Sequence, residues 1–476
     1  MGIAGRRVVI LGAGVTGLTA AAELSKSRDA QVVVVEKGAA PGGLATTLQK
    51  DGLSFDTGSH RLHDNCAADV LALLRDLCGH DLLRRERRGL IYVQNRTLPY
   101  PPSAFDIVFG FGARDALRSL ADFTWTRLRH RARCDEPHSF ESFIVANIGQ
   151  RLYERFYKPY AVKLYGRCPR TIAMDAALTR VRKFTLVAIC NELKTKLRNR
   201  RPGYLYPARG IGQLAQALQR RLEHNGGRLL LISRIDRLQI DESGRIRTVD
   251  VTTQDGQRVS LPADVVISTL PLDTLHHLVL LPSDNGSRPT FDLQWRSLRL
   301  LYIRTRDQIP SEHETFYFPE PEFPFGRVSD VSKYSPCLNQ DPDLAALAIE
   351  IPCSYADDTW ACSDEQLAER CIPALQRAGI LRTPAGDTRV LCSIKLKTVY
   401  PVYELGWRER FGRIYRRLDA IPNLYLVGRT ALFLHCNIDH CMTMALEVSR
   451  HLLNGRPDKV AWTRVQQRFF AYQVRE

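Results

Sequence analysis

Apolar residues in the first forty positions fall into two short runs with a helical pattern between them. Arg7-Val8-Val9-Ile10-Leu11 is almost uninterrupted, which predicts a strand buried on both faces. Glycines follow at once, then apolar positions at helical spacing from Leu18 to Leu24, then a second run, Gln31 to Val35, that stops at Glu36. Strand, glycine turn, helix and strand make the βαβ unit of a doubly wound parallel sheet, so the chain reads as α/β. Further along, Ser139 to Leu197 reads as largely helical, with Phe140, Phe143, Leu152 and Phe156 as its core positions. A helix is predicted over Gly210–His224. Strands are predicted over Arg228–Leu238 and Thr248–Thr253 around the turn Asp241–Gly244. The apolar run Asp264–Ser268 returns to the first sheet, a mixed section from Pro282 to Thr398 supplies a second sheet, and Leu424–Val427 is a last parallel strand ending at Gly428.

At 476 residues the chain exceeds what one hydrophobic core supports. The pattern predicts two interleaved domains: a nucleotide-binding one from segments 1–100, 201–280 and 401–476, and an α+β substrate domain from the mainly helical segment 101–200 and the sheet segment 281–400. With 44% apolar and 25% charged residues the composition is that of a soluble globular protein, and no apolar run is long enough for a membrane span. The N-terminus passes directly into a strand, without the pattern of a secretory signal, so a cytoplasmic address is expected. Twelve cysteines are scattered without a CxxC pair, which predicts neither a metal site nor a disulfide framework. A net charge of +16 suggests an anionic partner: a phosphorylated or nucleotide-linked substrate, a polyanion or an anionic membrane surface. Much of the excess lies in Arg84–Arg88, Arg127–Arg133 and Lys194–Arg201, each first read as a solvated helix face. No nucleic-acid reader motif accompanies it, and the oligomeric state is left open.

The chemistry starts at Gly12, Gly14 and Gly17, a GxGxxG directly after a strand. The first glycine allows the turn, the second lets backbone approach a pyrophosphate, and the third permits close helix packing. Val15 and Thr16 open the helix whose N-terminus would face that pyrophosphate. Glu36, with Lys37 behind it, ends the second strand, where a carboxylate can accept hydrogen bonds from an adenosine ribose. A second glycine pair, Gly42-Gly43, continues into Leu44-Ala45-Thr46, and a short strand then leads to Phe55-Asp56-Thr57-Gly58-Ser59-His60. This arrangement resembles the glutathione-reductase-type flavoproteins over residues 6 to 61, which implies FAD as cofactor, held in a Rossmann domain of that type.

Further segments narrow the resemblance to the amine-oxidase-like branch that includes protoporphyrinogen oxidases, carotenoid desaturases and UDP-galactopyranose mutases. They are Gly43-Leu44-Ala45-Thr46, Gly58-Ser59-His60-Arg61, Arg151-Leu152-Tyr153-Glu154, Lys158-Pro159-Tyr160, Tyr206-Pro207, Gly210-Ile211-Gly212-Gln213-Leu214, Tyr400-Pro401-Val402-Tyr403 and Asn423 to Arg429. The resemblance implies that Ile235 contacts the adenine, that Gly428 and Arg429 meet the pyrophosphate, and that the helix opened by Asn437-Ile438-Asp439-His440 points its N-terminus at the flavin ring. One segment departs from the pattern. Where the sugar-associated relatives carry an arginine and a tyrosine, this chain has Leu434, His435 and Cys436, which counts against direct transfer of a mutase activity.

Proton-transfer candidates are His60, His435 and His440, since imidazole titrates near neutrality; each could equally be fixed by hydrogen bonds without a proton role. Arg61 is a candidate for an anionic group or the flavin, and Tyr403 and His435 for the substrate pocket. Cys436 reads as a packed small side chain. The leading expectation is an FAD-dependent oxidoreductase of dehydrogenase, oxidase or desaturase type, acting on a small molecule that could be sugar- or nucleotide-linked. The alternatives are a net non-redox flavin-dependent sugar mutase and a flavin-binding protein without turnover.

Overall fold

The computed structural model describes residues 3–100, 102, 106, 110, 112–133, 138–178, 203–280, 292–306, 309, 312–341, 343–382, 388–455 and 458–474. Its architecture is a mixed α/β fold built on two principal sheets. The first has five parallel strands in the order Arg228–Leu230, Gln31–Val35, Arg7–Leu11, Val265–Ser268, Leu424–Leu426. Its central strands are almost wholly apolar because both faces are covered, with Val8 to Leu11 and Val265 to Ser268 buried. Segments hundreds of residues apart thus complete one sheet. The helix after the first strand runs Val15–Leu24, starting three residues before its apolar pattern because Gly14 is its N-cap. It packs against the helix Ile438–Leu453.

The second sheet has seven strands in the order Thr388–Pro401, Trp295–Thr305, Ala345–Cys353, Arg327–Asp330, Thr315–Tyr317, Gly89–Val93, Arg96–Tyr100. It is antiparallel except between Thr315–Tyr317 and Gly89–Val93. The hairpin Gly89–Tyr100, read from sequence with the nucleotide-binding segment, therefore belongs to the other sheet. Helices Phe140–Ile148 and Lys158–Tyr165, joined through a wide π turn at Tyr153–Tyr157, bury Phe140, Phe143, Leu152 and Phe156 as the periodicity predicts. The remainder of the stretch predicted as helical to Leu197, from 179 onward, lies outside the described residues, as does Lys194–Arg201. The long helix Ala113–Arg133 packs on this helical layer.

Two expectations are corrected. Arg84–Arg88 is no helix face. Leu82–Glu86 is a strand paired with Gly203–Pro207, and Arg84 and Arg88 reach Asp64 and Glu312. The single strand expected over Arg228–Leu238 is two. Arg228–Leu230 joins the parallel sheet, while Arg234–Ile240 pairs with Ile246–Thr252 in a separate antiparallel sheet. The break lies where Ile232, at φ 49°, turns the chain over the end of the second strand. There the Ile232 N–H donates to the Gly38 carbonyl at 3.0 Å and the Ser233 N–H to that of Glu36 at 2.8 Å.

Candidate active site

The glycines after the first strand differ in what they require. Gly12 has φ 99°, and a Cβ there would stand 2.5 Å from Thr269 Oγ1; one on Gly17 would stand 2.0 Å from the Gly12 carbonyl oxygen. Gly14 sits at φ −67°, ψ 171°, extended backbone that any residue adopts, and its Cβ would point into open space. Neither backbone nor packing calls for glycine there, so what its missing side chain preserves is room before the helix N-terminus that Val15 and Thr16 open. Across that room, Gly43 brings its Cβ direction within 3.2 Å of the Gly14 Cα, and the Gly42 N–H is tied to the Ala13 carbonyl at 2.8 Å. Leu44 and the buried Ala45 follow.

The Glu36 carboxylate closes one end of this cradle. One oxygen accepts the Ala13 N–H and the other the Gly38 N–H, both at 2.8 Å. Each oxygen keeps a lone pair for a further donor such as a ribose hydroxyl. Lys37 is exposed beside it. The turn through Ile232 and Ser233 lies at the same strand end, and Ile235, half-buried, is the second residue of the strand that leaves it.

The other side of the cradle comes from the C-terminal segment. Gly428 has φ 95°, and a Cβ there would lie 2.9 Å from Thr16 Oγ1, so the two ends of the chain meet at the helix N-terminus. Arg429 donates from Nε to the Val399 carbonyl and from Nη1 to the Cys436 carbonyl, each at 3.1 Å, while its guanidinium lies 5.1 Å from the centre of the Tyr400 ring. Its Nη2 is buried without a hydrogen-bond partner. A fixed cation with an orphaned donor is suited to an anionic oxygen. The helix Ile438–Leu453 starts beside it behind Asn437. Asp439 is buried there with Oδ1 unpartnered. The Cys436 and Cys441 sulfurs are 3.7 Å apart. The contact with Cys436, the Thr16 hydroxyl and the nearby Arg429 pull the Cys441 thiol below its ordinary range, while the same contact and burial push Cys436 up.

Between Arg429 and that helix, Phe433 adopts φ 50°, a strained conformation for a bulky residue. Tyr403 holds it: its hydroxyl donates to the Phe433 carbonyl and accepts the His435 N–H, both at 3.1 Å. The Tyr403 hydroxyl is thus engaged in shaping this loop. The His435 ring meets Tyr400 edge-on at 5.2 Å. His440 accepts the Asn437 N–H on Nδ1 at 3.3 Å, capping the helix, and stacks on Tyr472 at 4.5 Å.

The segment Gly58-Ser59-His60-Arg61 connects this cradle to the seven-stranded sheet. The Gly58 N–H donates to the Tyr302 hydroxyl at 3.2 Å, and the Ser59 N–H to Glu350 Oε1 at 3.1 Å. Glu350 Oε2 accepts from Arg327 at 2.7 Å, and the Ser59 and Ser329 hydroxyls lie 2.5 Å apart. His60 Nε2 is 3.1 Å from the Thr57 carbonyl. A carbonyl only accepts, so Nε2 carries a proton, and in the neutral ring Nδ1 carries the lone pair. Burial pushes the His60 pKa below its ordinary value, against the pull of Asp56 and Glu350. Asp56 is itself buried under Thr47 and Tyr206, which donate to it at 2.6 and 2.5 Å, and its pKa is raised by that burial. Arg61 turns away: it donates to Glu314 at 3.1 Å and Thr315 at 2.6 Å, with its guanidinium against the Tyr204 and Tyr334 rings.

Glu36, Gly42, Gly43 and Gly428 are thus gathered around the turn from Gly12 to Thr16, with Arg429 directly after Gly428; Ser59 is tied to the seven-stranded sheet through Glu350, and Arg61 is committed to a buried pair. Sequence reasoning missed Glu350, Arg327, Ser329 and Tyr302. Glu350 carried a signal, a lone carboxylate in the apolar run Ala345–Cys353. The open space at Gly14, the two oxygens of Glu36 and the orphaned Arg429 donor fit the pyrophosphate and ribose of FAD.

A family model described as flavin containing amine oxidoreductase matches residues 15–453. The zeta-carotene-forming phytoene desaturase of Myxococcus xanthus is 25% identical over 417 residues, covering 75% of this chain and 74% of that one. The chloroplastic protoporphyrinogen oxidase of Nicotiana tabacum is 25% identical over 285 residues, 55% of this chain and 50% of that one. Among solved structures, reduced UDP-galactopyranose mutase superposes with a TM-score of 0.79 at 22% identity, covering 98% of this chain and 99% of the other.

Proposed function

The chain belongs to the flavin containing amine oxidoreductase family, an FAD-dependent oxidoreductase family, and from that premise we propose that it dehydrogenates a small molecule, taking a hydride from a C–H bond beside nitrogen or oxygen or desaturating a C–C bond. FAD, when bound, supplies the two-electron acceptor. The five-stranded sheet, with the segments around residues 1–88, 203–280 and 401–474, is read as a glutathione-reductase-type FAD domain; the helical layer and the seven-stranded sheet form the substrate side.

The observation that carries the reading is His60. Its Nε2–H is fixed on Thr57, which leaves Nδ1 of a half-buried, neutral ring as a proton acceptor between the glycine cradle and the seven-stranded sheet. Glu350 orients the backbone next to it through the Ser59 N–H and is in turn held by Arg327. His440 spends its Nδ1 lone pair on a helix cap, so it is the weaker base candidate. On this reading Gly14 and Arg429 hold the pyrophosphate, Glu36 the ribose and Ile235 the adenine edge. The chain's positive balance suits an anionic, sugar- or nucleotide-linked substrate, and its place of work is the cytoplasm.

The test is anaerobic. Purified protein is titrated with C–H donors of the amine, alcohol and polyene classes, and flavin bleaching is followed. Bleaching by one class, slowed in His60→Asn with cofactor occupancy unchanged, supports dehydrogenation. A flavin that no donor bleaches, yet whose spectrum responds to a UDP-sugar only after dithionite reduction, replaces this reading with the net non-redox mutase.

A further inference from the structure

The helix Ala113–Arg133 has a buried side and an unusual outer one. Ala116 and Ser119 are buried against the helical layer, Asp115 is paired with Arg151 and Arg155, and Asp122 accepts the Arg151 N–H. Outward, Leu117 is 69% exposed, Trp125 68%, Leu128 66% and Leu120 43%. Four of the twelve large apolar side chains exposed among the described residues therefore sit on this one helix, and three of them have the highest exposures of all. At ~100° per residue, Leu120, Leu117, Leu128 and Trp125 fall within an arc of about 140°, one face of the helix. Arg118 and Arg129 flank this stripe on one side and Arg127 on the other, all exposed. The acidic residues of the helix are used up on its inner side, so the outer face is apolar and cationic together. Among the described residues no helix is long and apolar enough to cross a membrane.

We infer that this helix docks the protein on an anionic lipid surface, with Leu117, Leu120, Trp125 and Leu128 entering the acyl boundary and Arg118, Arg127 and Arg129 at the headgroup phosphates. Arg127 also lies over the Phe123 ring at 5.4 Å, but a protein groove that satisfied the apolar stripe would give the exposed Arg118 and Arg129 no role. An anionic leaflet takes both, since guanidinium groups snorkel to phosphate while leucine and tryptophan sit below them. The net charge of +16 favours the same surface. This inference does not depend on the reaction at the cleft.

The experiment is co-sedimentation of the full-length holoprotein with vesicles of phosphatidylcholine alone and of phosphatidylcholine with phosphatidylglycerol, at low and high salt. Its partner is the variant Leu117→Ser/Trp125→Ser/Leu128→Ser, which keeps every arginine. The expected result is binding to the anionic vesicles only, weakened by salt, with the variant's partitioning reduced at least about ten-fold. Flavin absorbance and the melting curve of the variant should match the parent, because the three side chains point outward. A second variant, Arg118→Glu/Arg129→Glu, should lose binding with the stripe intact. The inference is overturned if the parent ignores anionic vesicles, or if the serine variant binds them as well as the parent does. It is equally overturned if the serine substitutions convert an oligomer to a monomer, which would make the stripe a contact between copies of the chain.

Discussion

Replacing Gly14 by alanine separates the cofactor's needs from those of the fold. Its backbone is extended, and the added Cβ meets no protein atom within 4 Å. The substitution removes freedom from the unfolded chain without strain in the folded one, so the apoprotein should be as stable as the parent or more so by about 0.4–1 kcal/mol. The same methyl stands in the space before the N-terminus of Val15–Leu24, where a pyrophosphate would take backbone N–H bonds. Pushing it back by one methyl radius forfeits roughly two charge-assisted hydrogen bonds of about 1.5–3 kcal/mol each, a ~10²–10⁴-fold loss of FAD affinity. Gly14→Val should leave no retained flavin. Gly17→Ala is the converse control: its Cβ would stand 2.0 Å from a backbone carbonyl oxygen, and it should destabilise the apoprotein itself. Denaturant unfolding of the apoproteins and FAD titration by fluorescence quenching read the two quantities independently. Parental FAD affinity in Gly14→Ala would refute the assignment of that space, and an unfolded Gly14→Ala would refute the geometry.

Arg429→Met should weaken FAD binding by about ten- to a hundred-fold, and Arg429→Lys should not restore it, because lysine cannot reproduce a planar fork held by two carbonyls with a third donor left over; a Kd titration decides. Tyr403→Phe removes the hydroxyl that serves both Phe433 and His435, and should cost about 1–3 kcal/mol in denaturant unfolding. For His60 the folded pKa lies below the unfolded value of ~6.5, so below that pH the unfolded chain takes up a proton that the folded one refuses. Its contribution to stability is therefore lost as pH falls, by up to about 1.4 kcal/mol per pH unit, and unfolding curves of His60→Asn should show a shallower loss between pH ~7 and ~5.5.

What was legible in the sequence was what is locally determined. The parallel strands announce themselves because full burial makes Arg7–Leu11 and Val265–Ser268 almost wholly apolar, and the glycine turn because Gly12 has positive φ and Gly17 answers to the carbonyl of Gly12 five residues earlier. Illegible parts were set by distant contacts. Nothing near Arg228 signals that its strand will break at Ile232, because the cause is the end of the strand Gln31–Val35. Arg84–Arg88 has the composition of a helix face, yet its strand is fixed by pairing with Gly203–Pro207. Glu350 meets Ser59 across 291 positions, a contact that only the register of the seven-stranded sheet creates.

The same limit governs the histidines. As residues, His60, His435 and His440 were equal candidates, each within a segment that the resemblance placed near the cofactor. What separates His60 from His440 is where their nitrogens go. His440 accepts on Nδ1 from the backbone three residues earlier, so protonating that nitrogen would cost the helix its cap as well as the burial of a charge. His60 donates from Nε2 to a carbonyl, which fixes its tautomer and leaves the opposite nitrogen basic, with Asp56 and Glu350 close enough to stabilise the imidazolium once a proton arrives. A half-buried neutral imidazole with two carboxylates nearby can take a proton without rearranging its hydrogen bonds, and a capping imidazole cannot. That difference favours His60 over His440, and it is a property of the folded geometry around an otherwise ordinary residue.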